Sequence, residues 1–228
     1  MKIAISPSGN KYLFKGEELN TSEGQVLKKN VKNNKVKSSS GAVFTVIEAA
    51  FPDLFEKLKR GPQVITLKDA AYILARTGIN KNSFVVDAGG GSGFLACFLG
   101  LHAGRVVTYE VRKDFVKIIK SNVEFLGLDN VEVKNKDAYL DFEEEGFDVL
   151  TLDLLEPWLV PTRGLKTGGF LVAYCPTVQQ VEKIKTLKGF VVEEVCEMIR
   201  REWRKDKVSR PKSKMIAHTG FLVFLRKL

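Results

Sequence analysis

Apolar and polar residues alternate in short runs at the start of the chain and gather into longer, differently spaced stretches after residue 60. Lys2-Ile3-Ala4-Ile5 and Lys11-Tyr12-Leu13-Phe14 read as two strands around a Pro7-Ser8-Gly9-Asn10 turn. Ala42 to Ile47 reads as a further strand and Phe51 to Leu58 as one or two helical turns. Between them, Lys28 to Ser40 is polar and basic, as an exposed loop or sheet edge would be. Residues 1–60 are expected to form a small β-rich domain, bounded by Gly61-Pro62.

Past that point strands and helices take turns. Lys68 to Arg76 is helical, Phe84 to Val86 a short buried strand, and Phe94 to Leu101 a helix. Arg105 to Glu110 is the next strand, and Asp114 to Leu126 places Phe115, Ile118, Ile119, Val123 and Leu126 on one helix face. Val131 to Lys134, Phe147 to Leu152 and Gly168 to Tyr174 continue the strands. Pro176 opens a helix over Thr177 to Leu187, with Val178, Val181 and Ile184 facing inward. Regular alternation predicts a parallel sheet with right-handed crossovers. Val191 to Ile199 and Met215 to Leu225 read as two long strands joined by a basic loop, Arg200 to Lys214. The expected fold class is therefore α/β over residues 61–228, a Rossmann-like sheet closed by an antiparallel C-terminal pair.

The stretch Val85-Val86-Asp87-Ala88-Gly89-Gly90-Gly91-Ser92-Gly93-Phe94-Leu95 joins a strand to a helix through a glycine-dense turn. Glycine lets the backbone take positive φ and approach a ligand closely, and the helix start offers free N–H groups. By itself such a loop is also what a tight strand–helix connection looks like. Phe94 stands where a dinucleotide fingerprint would place its third small residue. Glu110 ends the next strand 17 positions beyond Gly93, where a ribose-binding carboxylate belongs, and Asp137 follows the strand after that. Any one of these acids would serve as a turn or helix cap, but Asp87, Glu110 and Asp137 in register favour a nucleoside ligand.

Charge sharpens this picture. The net +9 is distributed as +5 over residues 1–60, −4 over 61–198 and +8 over 199–228. Basic ends around an acidic middle suit a polyanionic partner, with Arg200, Arg201, Arg204, Lys205, Lys207, Arg210, Lys212 and Lys214 as phosphate contacts; lysine-rich solubility dressing would give a similar bias. Cys97, Cys175 and Cys196 are isolated and there are two histidines, so neither a disulfide framework nor a metal site is expected. No apolar run reaches the ~18 residues of a membrane span. No membrane association and a cytoplasmic location are the expectation.

Asp153, just past the strand Phe147 to Leu152, leads into Leu154-Leu155-Glu156-Pro157-Trp158. This reads equally as a base-binding lip or as a helix cap with a packed tryptophan.

Taken together, residues 61–228 resemble the class I S-adenosylmethionine-dependent methyltransferases and, more narrowly, the tRNA adenine-N1 methyltransferases that modify T-loop adenine 58. The resemblance rests on Gln63-Val64-Ile65 with Lys68-Asp69, the Asp87 to Gly93 loop, and Tyr109-Glu110-x-Arg112. Asp153 to Trp158, Leu171-Val172-Ala173-Tyr174-x-Pro176 and Gln180 extend it. The tail adds Arg201-Glu202-Trp203, Arg210-Pro211 and His218-Thr219-Gly220-Phe221-Leu222. Thr66-Leu67 stands where members often carry Tyr-Pro, so an aromatic contact there is missing or supplied elsewhere. The resemblance implies S-adenosylmethionine as cofactor, held by Gln63, Gly89, Gly91, Ser92, Gly93, Phe94, Leu95, Glu110 (ribose), Asp137 (adenine amine) and Ala138. It implies tRNA as substrate, Asp153 as the central acid, a homotetramer, and in archaeal members methylation of adenine 57 as well. Trp158, Tyr174, Arg201, Arg210 and His218 are candidate substrate contacts, and packed core is the alternative for the aromatic ones.

Other readings are weaker. Two extra residues stand between Asp153 and the aromatic of Pro157-Trp158, compared with the Asp/Asn-Pro-Pro-aromatic run of amino-group methyltransferases. A small-molecule methyltransferase would not need basic ends. A non-catalytic RNA-binding subunit would be expected to have lost the glycine loop or Asp153, and a methyltransferase acting on another RNA site stays open. An NAD-dependent oxidoreductase is disfavoured by Phe94 and by the terminal strand pair.

Overall fold

The computed structural model describes residues 1–61, 63–204 and 208–228; Pro62 of the expected boundary and Lys205 and Lys207 of the basic loop lie outside the described residues. The chain divides into two compact units, Met1–Leu58 and Lys59–Leu228.

In the first unit the strands are β1 (Lys2–Ile5), β2 (Lys11–Phe14), β3 (Glu18–Thr21), β4 (Gly24–Leu27), β5 (Lys35–Lys37) and β6 (Val43–Glu48), followed by the short helix α1 (Phe51–Phe55). Four of them form an antiparallel sheet in the order β2-β1-β6-β5, and β3 pairs with β4 as a separate hairpin. Ala4, Phe14, Val26, Val36, Phe44 and Val46 make its core. The basic stretch from Lys28 contains the edge strand β5, where buried Val36 sits between exposed Lys35 and Lys37. The hairpin β3–β4 was not expected, because Leu19 and Val26, directly paired across it, are almost its only apolar residues.

The second unit comprises α2 (Leu67–Thr77), β7 (Phe84–Ala88), α3 (Phe94–Gly100), β8 (Arg105–Tyr109), α4 (Lys113–Leu126), β9 (Val131–Lys134), β10 (Phe147–Leu152), β11 (Leu165–Cys175), α5 (Val178–Ile184), β12 (Phe190–Cys196) and β13 (Phe221–Lys227). Its seven-stranded sheet runs β12-β13-β11-β10-β7-β8-β9. Strands β7 to β11 are mutually parallel, while β13 lies antiparallel between β11 and β12. This is a Rossmann-like sheet with an antiparallel C-terminal pair. Strand order reverses between β7 and β10, and in such sheets the crevice outside the carboxyl ends at that reversal takes the ligand. Val86, Val107, Leu150, Leu171 and Val223 are all fully buried within it.

Three expectations need correction. Val178 is 56% exposed, not inward. At about 100° per residue it lies more than 100° from the centre of the face that Gln180, Val181 and Ile184 bury. The last strand begins at Phe221 rather than Met215. The preceding residues are held by side chains instead of a ladder: His218 Nδ1 lies 2.7 Å from Glu197 and Lys68 Nζ donates to Thr219 at 2.7 Å. Its neighbour β12 stops at Cys196, short of Ile199.

On α4 the buried face also includes Asn122. Its amide nitrogen donates to the carbonyls of Ser92 and Lys59 at 2.9 Å each, and its oxygen accepts from Lys59 N–H at 2.9 Å. A polar residue on an apolar face here clamps the glycine loop.

Candidate active site

The loop after β7 is shaped by two glycines in particular. Gly89 has φ +87°, and a Cβ on it would stand 2.2 Å from the carbonyl oxygen of Asp153. Gly93 has φ +79° at the entry to α3, and a Cβ there would press on Ile119 at 2.9 Å. Gly89 and Gly90 both donate their N–H to Tyr109 O, at 3.0 and 2.9 Å, which binds the loop to the end of β8.

Around this loop a cavity of 510 Å³ opens at the carboxyl ends of the strands. It brings together Gln63, Gly89, Gly91, Glu110, Asp137, Ala138 and Asp153. An adjoining small cavity gathers Ser92, Phe94 and Leu95, again with Gln63, Gly91 and Asp153. Gly93 lines neither; it turns the backbone into α3.

The carboxylates differ in how they are held. Asp87 is fully buried, with one oxygen accepting from the Thr108 hydroxyl and the other from Thr151, both at 2.7 Å. Burial raises its pKa, and Glu110 adds to the rise. Glu110 accepts from Gly91 N–H at 2.8 Å and from Arg112 N–H at 2.9 Å, with Arg112 Nε at 3.1 Å. Asp137 accepts from Tyr139 N–H at 2.9 Å.

Asp153 stands apart. Its N–H continues the ladder to Ala88 O at 2.9 Å, so the residue is fixed at the strand exit beside the glycine loop. Among the described residues its carboxylate has no hydrogen-bond partner. Burial pushes its pKa from 3.8 to about 7, and the neighbouring Asp87 and Glu110 charges add to the shift. A desolvated acid with no internal partner, lining a nucleoside-sized cavity, is poised for something that enters from outside.

The candidate substrate contacts are dispersed. Trp158 lines a separate apolar groove with Leu155, Glu156, Pro176, Thr177 and Gln180, under the Lys183 ammonium at 4.4 Å from the ring centre. Tyr174 is half-buried against Gly220, and burial raises its pKa. His218 is engaged by Glu197 and lies 3.2 Å from Pro176 O, with its ring on Phe221; the Glu197 contact raises its pKa. Arg201 points a guanidinium nitrogen at the Met215 sulfur, 2.8 Å away, and Arg210 is exposed. Neither arginine lines the cavity.

Several residues at the site were missed by sequence reasoning. Thr108 and Thr151 lie inside strands, and only their pairing with a buried acid marks them. Tyr139 and Phe115 line the cavity walls. The aromatic two positions after Asp137, in a turn, was the available signal for Tyr139.

Comparison with known proteins adds the following. The protein-L-isoaspartate(D-aspartate) O-methyltransferase (PCMT) family model matches residues 23–200. A Methanocaldococcus jannaschii protein named tRNA (adenine(57)-N(1)/adenine(58)-N(1))-methyltransferase TrmI is 31% identical, over 99% of this chain and 94% of its own. The crystal structure of tRNA (m1A58) methyltransferase TrmI from Aquifex aeolicus superposes with a TM-score of 0.82 at 29% identity, covering 100% of this chain and 96% of that one. A Thermotoga maritima structure described as an S-adenosylmethionine-dependent O-methyltransferase gives 0.88 at 26% identity, covering 100% and 92%.

Proposed function

The chain belongs to the methyltransferase family that the PCMT model matches and, within that fold, to the tRNA (adenine-N1)-methyltransferases, and from that premise we propose that it methylates N1 of adenine 58 in the tRNA T loop. The observation that carries this reading is Asp153, an unpartnered and desolvated carboxylate at the switch point of the sheet. Adenine 57 is a second acceptor, in line with the name of the relative that spans nearly all of the chain. The proposal includes a homotetramer, as the sequence resemblance implies, and a cytoplasmic location; the partly exposed edge strand β12, with Val191 and Val195 at 46% and 40%, is compatible with assembly.

S-adenosylmethionine fits the residues present. Ser92 Oγ is the buried polar side-chain atom left without a partner among the described residues, and it borders the small cavity that adjoins the large one. Glu110 and Asp137 present carboxylates along the larger cavity, suited to hydroxyl and amine donors of a nucleoside. When bound, this donor supplies an electrophilic methyl group on a sulfonium. The chain's own part is positioning, which supplies up to about 7–11 kcal/mol of a barrier when reacting groups are well aligned. Adenine N1 has a lone pair and needs no prior deprotonation. The Asp153 carboxylate accepts from the exocyclic amine, which orients N1 and stabilises the positive charge that builds on the purine. It then takes the amine proton as the purine returns to neutrality.

The second reading, methylation of a carboxyl oxygen, is favoured by the name of the matched family model, while the description of the Thermotoga structure says only that it is an O-methyltransferase. A free carboxylate facing the acceptor would repel another carboxylate, so the geometry supports the amine-bearing base. Incubating the protein with labelled S-adenosylmethionine and either unmodified tRNA or an isoaspartyl peptide decides between them. Label in 1-methyladenine at position 58 supports the proposal; label in the peptide alone overturns it.

A pH profile follows from Asp153. The carboxylate is the working form and the free group titrates near 7, so kcat/KM should rise through about pH 7 and level above it. The profile of Asp153→Asn should lose that limb.

A further inference from the structure

The loop that carries Asp153 is suspended from three places. Its first residue is tied to β7 through Ala88 O. Its middle is held by Gln180, whose amide nitrogen donates to Leu155 O at 2.9 Å while its oxygen accepts from Thr177 N–H at 3.1 Å. Its third support comes from across the cavity: Glu156 N–H donates to the Tyr139 hydroxyl at 3.0 Å. Pro157 has no N–H to offer, and Glu156 adopts φ −126°, ψ 67°, outside the regular regions. The Tyr139 hydroxyl is therefore a point at which the far end of this loop is registered.

Tyr139 also belongs to the donor side. Its ring lines the cavity beside Ala138, and its N–H caps Asp137. The segment bearing it is fixed on either flank. Asn135 donates to Glu110 O and Val111 O at 2.8 and 2.9 Å, and Glu143 N–H donates to the Tyr109 hydroxyl at 3.1 Å. One side chain thus forms part of the donor wall with its ring and holds the acceptor loop with its hydroxyl.

Resting on the methyltransferase reading, we infer that Tyr139 is a positioning residue that couples the donor cavity to the acceptor loop. Contact of the donor with the ring sets the height of the hydroxyl, which sets Glu156 and, through the intervening residues, the Asp153 carboxylate. Displacements of about 1 Å at a reacting centre are enough to cost up to ~10²-fold in rate.

The test uses the two-tryptophan composition of the chain. In a Trp203→Phe background, Trp158 reports on the loop, and S-adenosylmethionine is titrated by fluorescence and by calorimetry. Donor binding is expected to shift Trp158 emission. Tyr139→Phe, which keeps the ring, should leave the calorimetric Kd within about twofold, remove most of the emission change, and lower kcat about tenfold with the donor KM unchanged, as loss of one hydrogen bond predicts. Tyr139→Ala should in addition weaken donor binding. A Tyr139→Phe protein that keeps both its emission response and its kcat overturns the inference. Calorimetry and emission need no RNA, so they stand even where tRNA proves to be the wrong acceptor. A parent protein that does not bind S-adenosylmethionine overturns the donor reading and this inference together.

Discussion

Replacing Asp153 by Asn is expected to lower kcat for methyl transfer by about 10²-fold or more, while donor affinity changes by no more than about threefold. The amide keeps the size of the side chain and can still accept a hydrogen bond from the adenine amine. What it lacks is the negative charge opposite the purine and the capacity to take a proton. Asp153→Ala should lose at least as much. The same substitution should make the protein more stable. In the folded state the carboxyl is held at about 7, against 3.8 in the free side chain. Between these values the native protein keeps a proton that the unfolded chain has released. The favourable contribution is therefore complete below pH 3.8 and is lost as pH rises through 7. At pH 8 wild type must hold an ionised, partly buried acid beside Asp87 and Glu110, a cost the amide avoids. Asp153→Asn should accordingly melt above wild type at pH 8 and level with it near pH 4. Activity within a few-fold of wild type would remove Asp153 from the mechanism. A lower Tm at pH 8 would mean that the carboxylate is solvated rather than buried.

Most of the sheet was legible because its strands are short apolar runs between turn residues, and its helices keep one apolar face. Phe84–Ala88, Arg105–Tyr109 and Phe147–Leu152 are of this kind. The misreadings share a cause, namely that local pattern does not specify the partner. Met215 to Gly220 has a strand-like residue mix, yet its hydrogen bonds go to Glu197 and Lys68, which are distant in sequence. Leu19 and Val26 were too few to announce a hairpin until the fold set them opposite each other. At the site, the glycine loop and Asp153 could be read off because their spacing along the chain is itself the signal. The roles of Thr108, Thr151, Asn122 and Tyr139 depend on contacts between residues distant in sequence, such as Thr151 and Asp87, which stand 64 positions apart, and no spacing reveals those. Arg201 and Arg210 were chosen for charge, and charge alone does not say which face of the molecule a side chain occupies.

Gly89→Ala is the most severe single-atom-scale change expected in this protein, and it joins the loop to Asp153 directly. At φ +87° an L-residue is strained by about 1–2 kcal/mol. The added methyl would also begin 2.2 Å from the Asp153 carbonyl oxygen, a separation no carbon–oxygen contact tolerates. Because the obstacle is backbone in a ladder to Ala88, strands β7 and β10 must part to admit it. Overpacking of this kind costs typically about 1–3 kcal/mol more. The sum, about 2–5 kcal/mol, is a large share of the ~5–15 kcal/mol that holds a domain together. For a chain of this size it corresponds to a Tm lower by roughly 5–20 °C. Gly78→Ala isolates the conformational part, since Gly78 has φ +69° and nothing within 4 Å of the added carbon. It should cost only about 1–2 kcal/mol and leave kcat unchanged. The difference between the two variants measures the contact with Asp153, and it should be accompanied by a fall in kcat/KM of about 10²-fold as that residue is displaced. Equal melting temperatures for the two would show that the loop and the exit of β10 do not touch as closely as the structure has them.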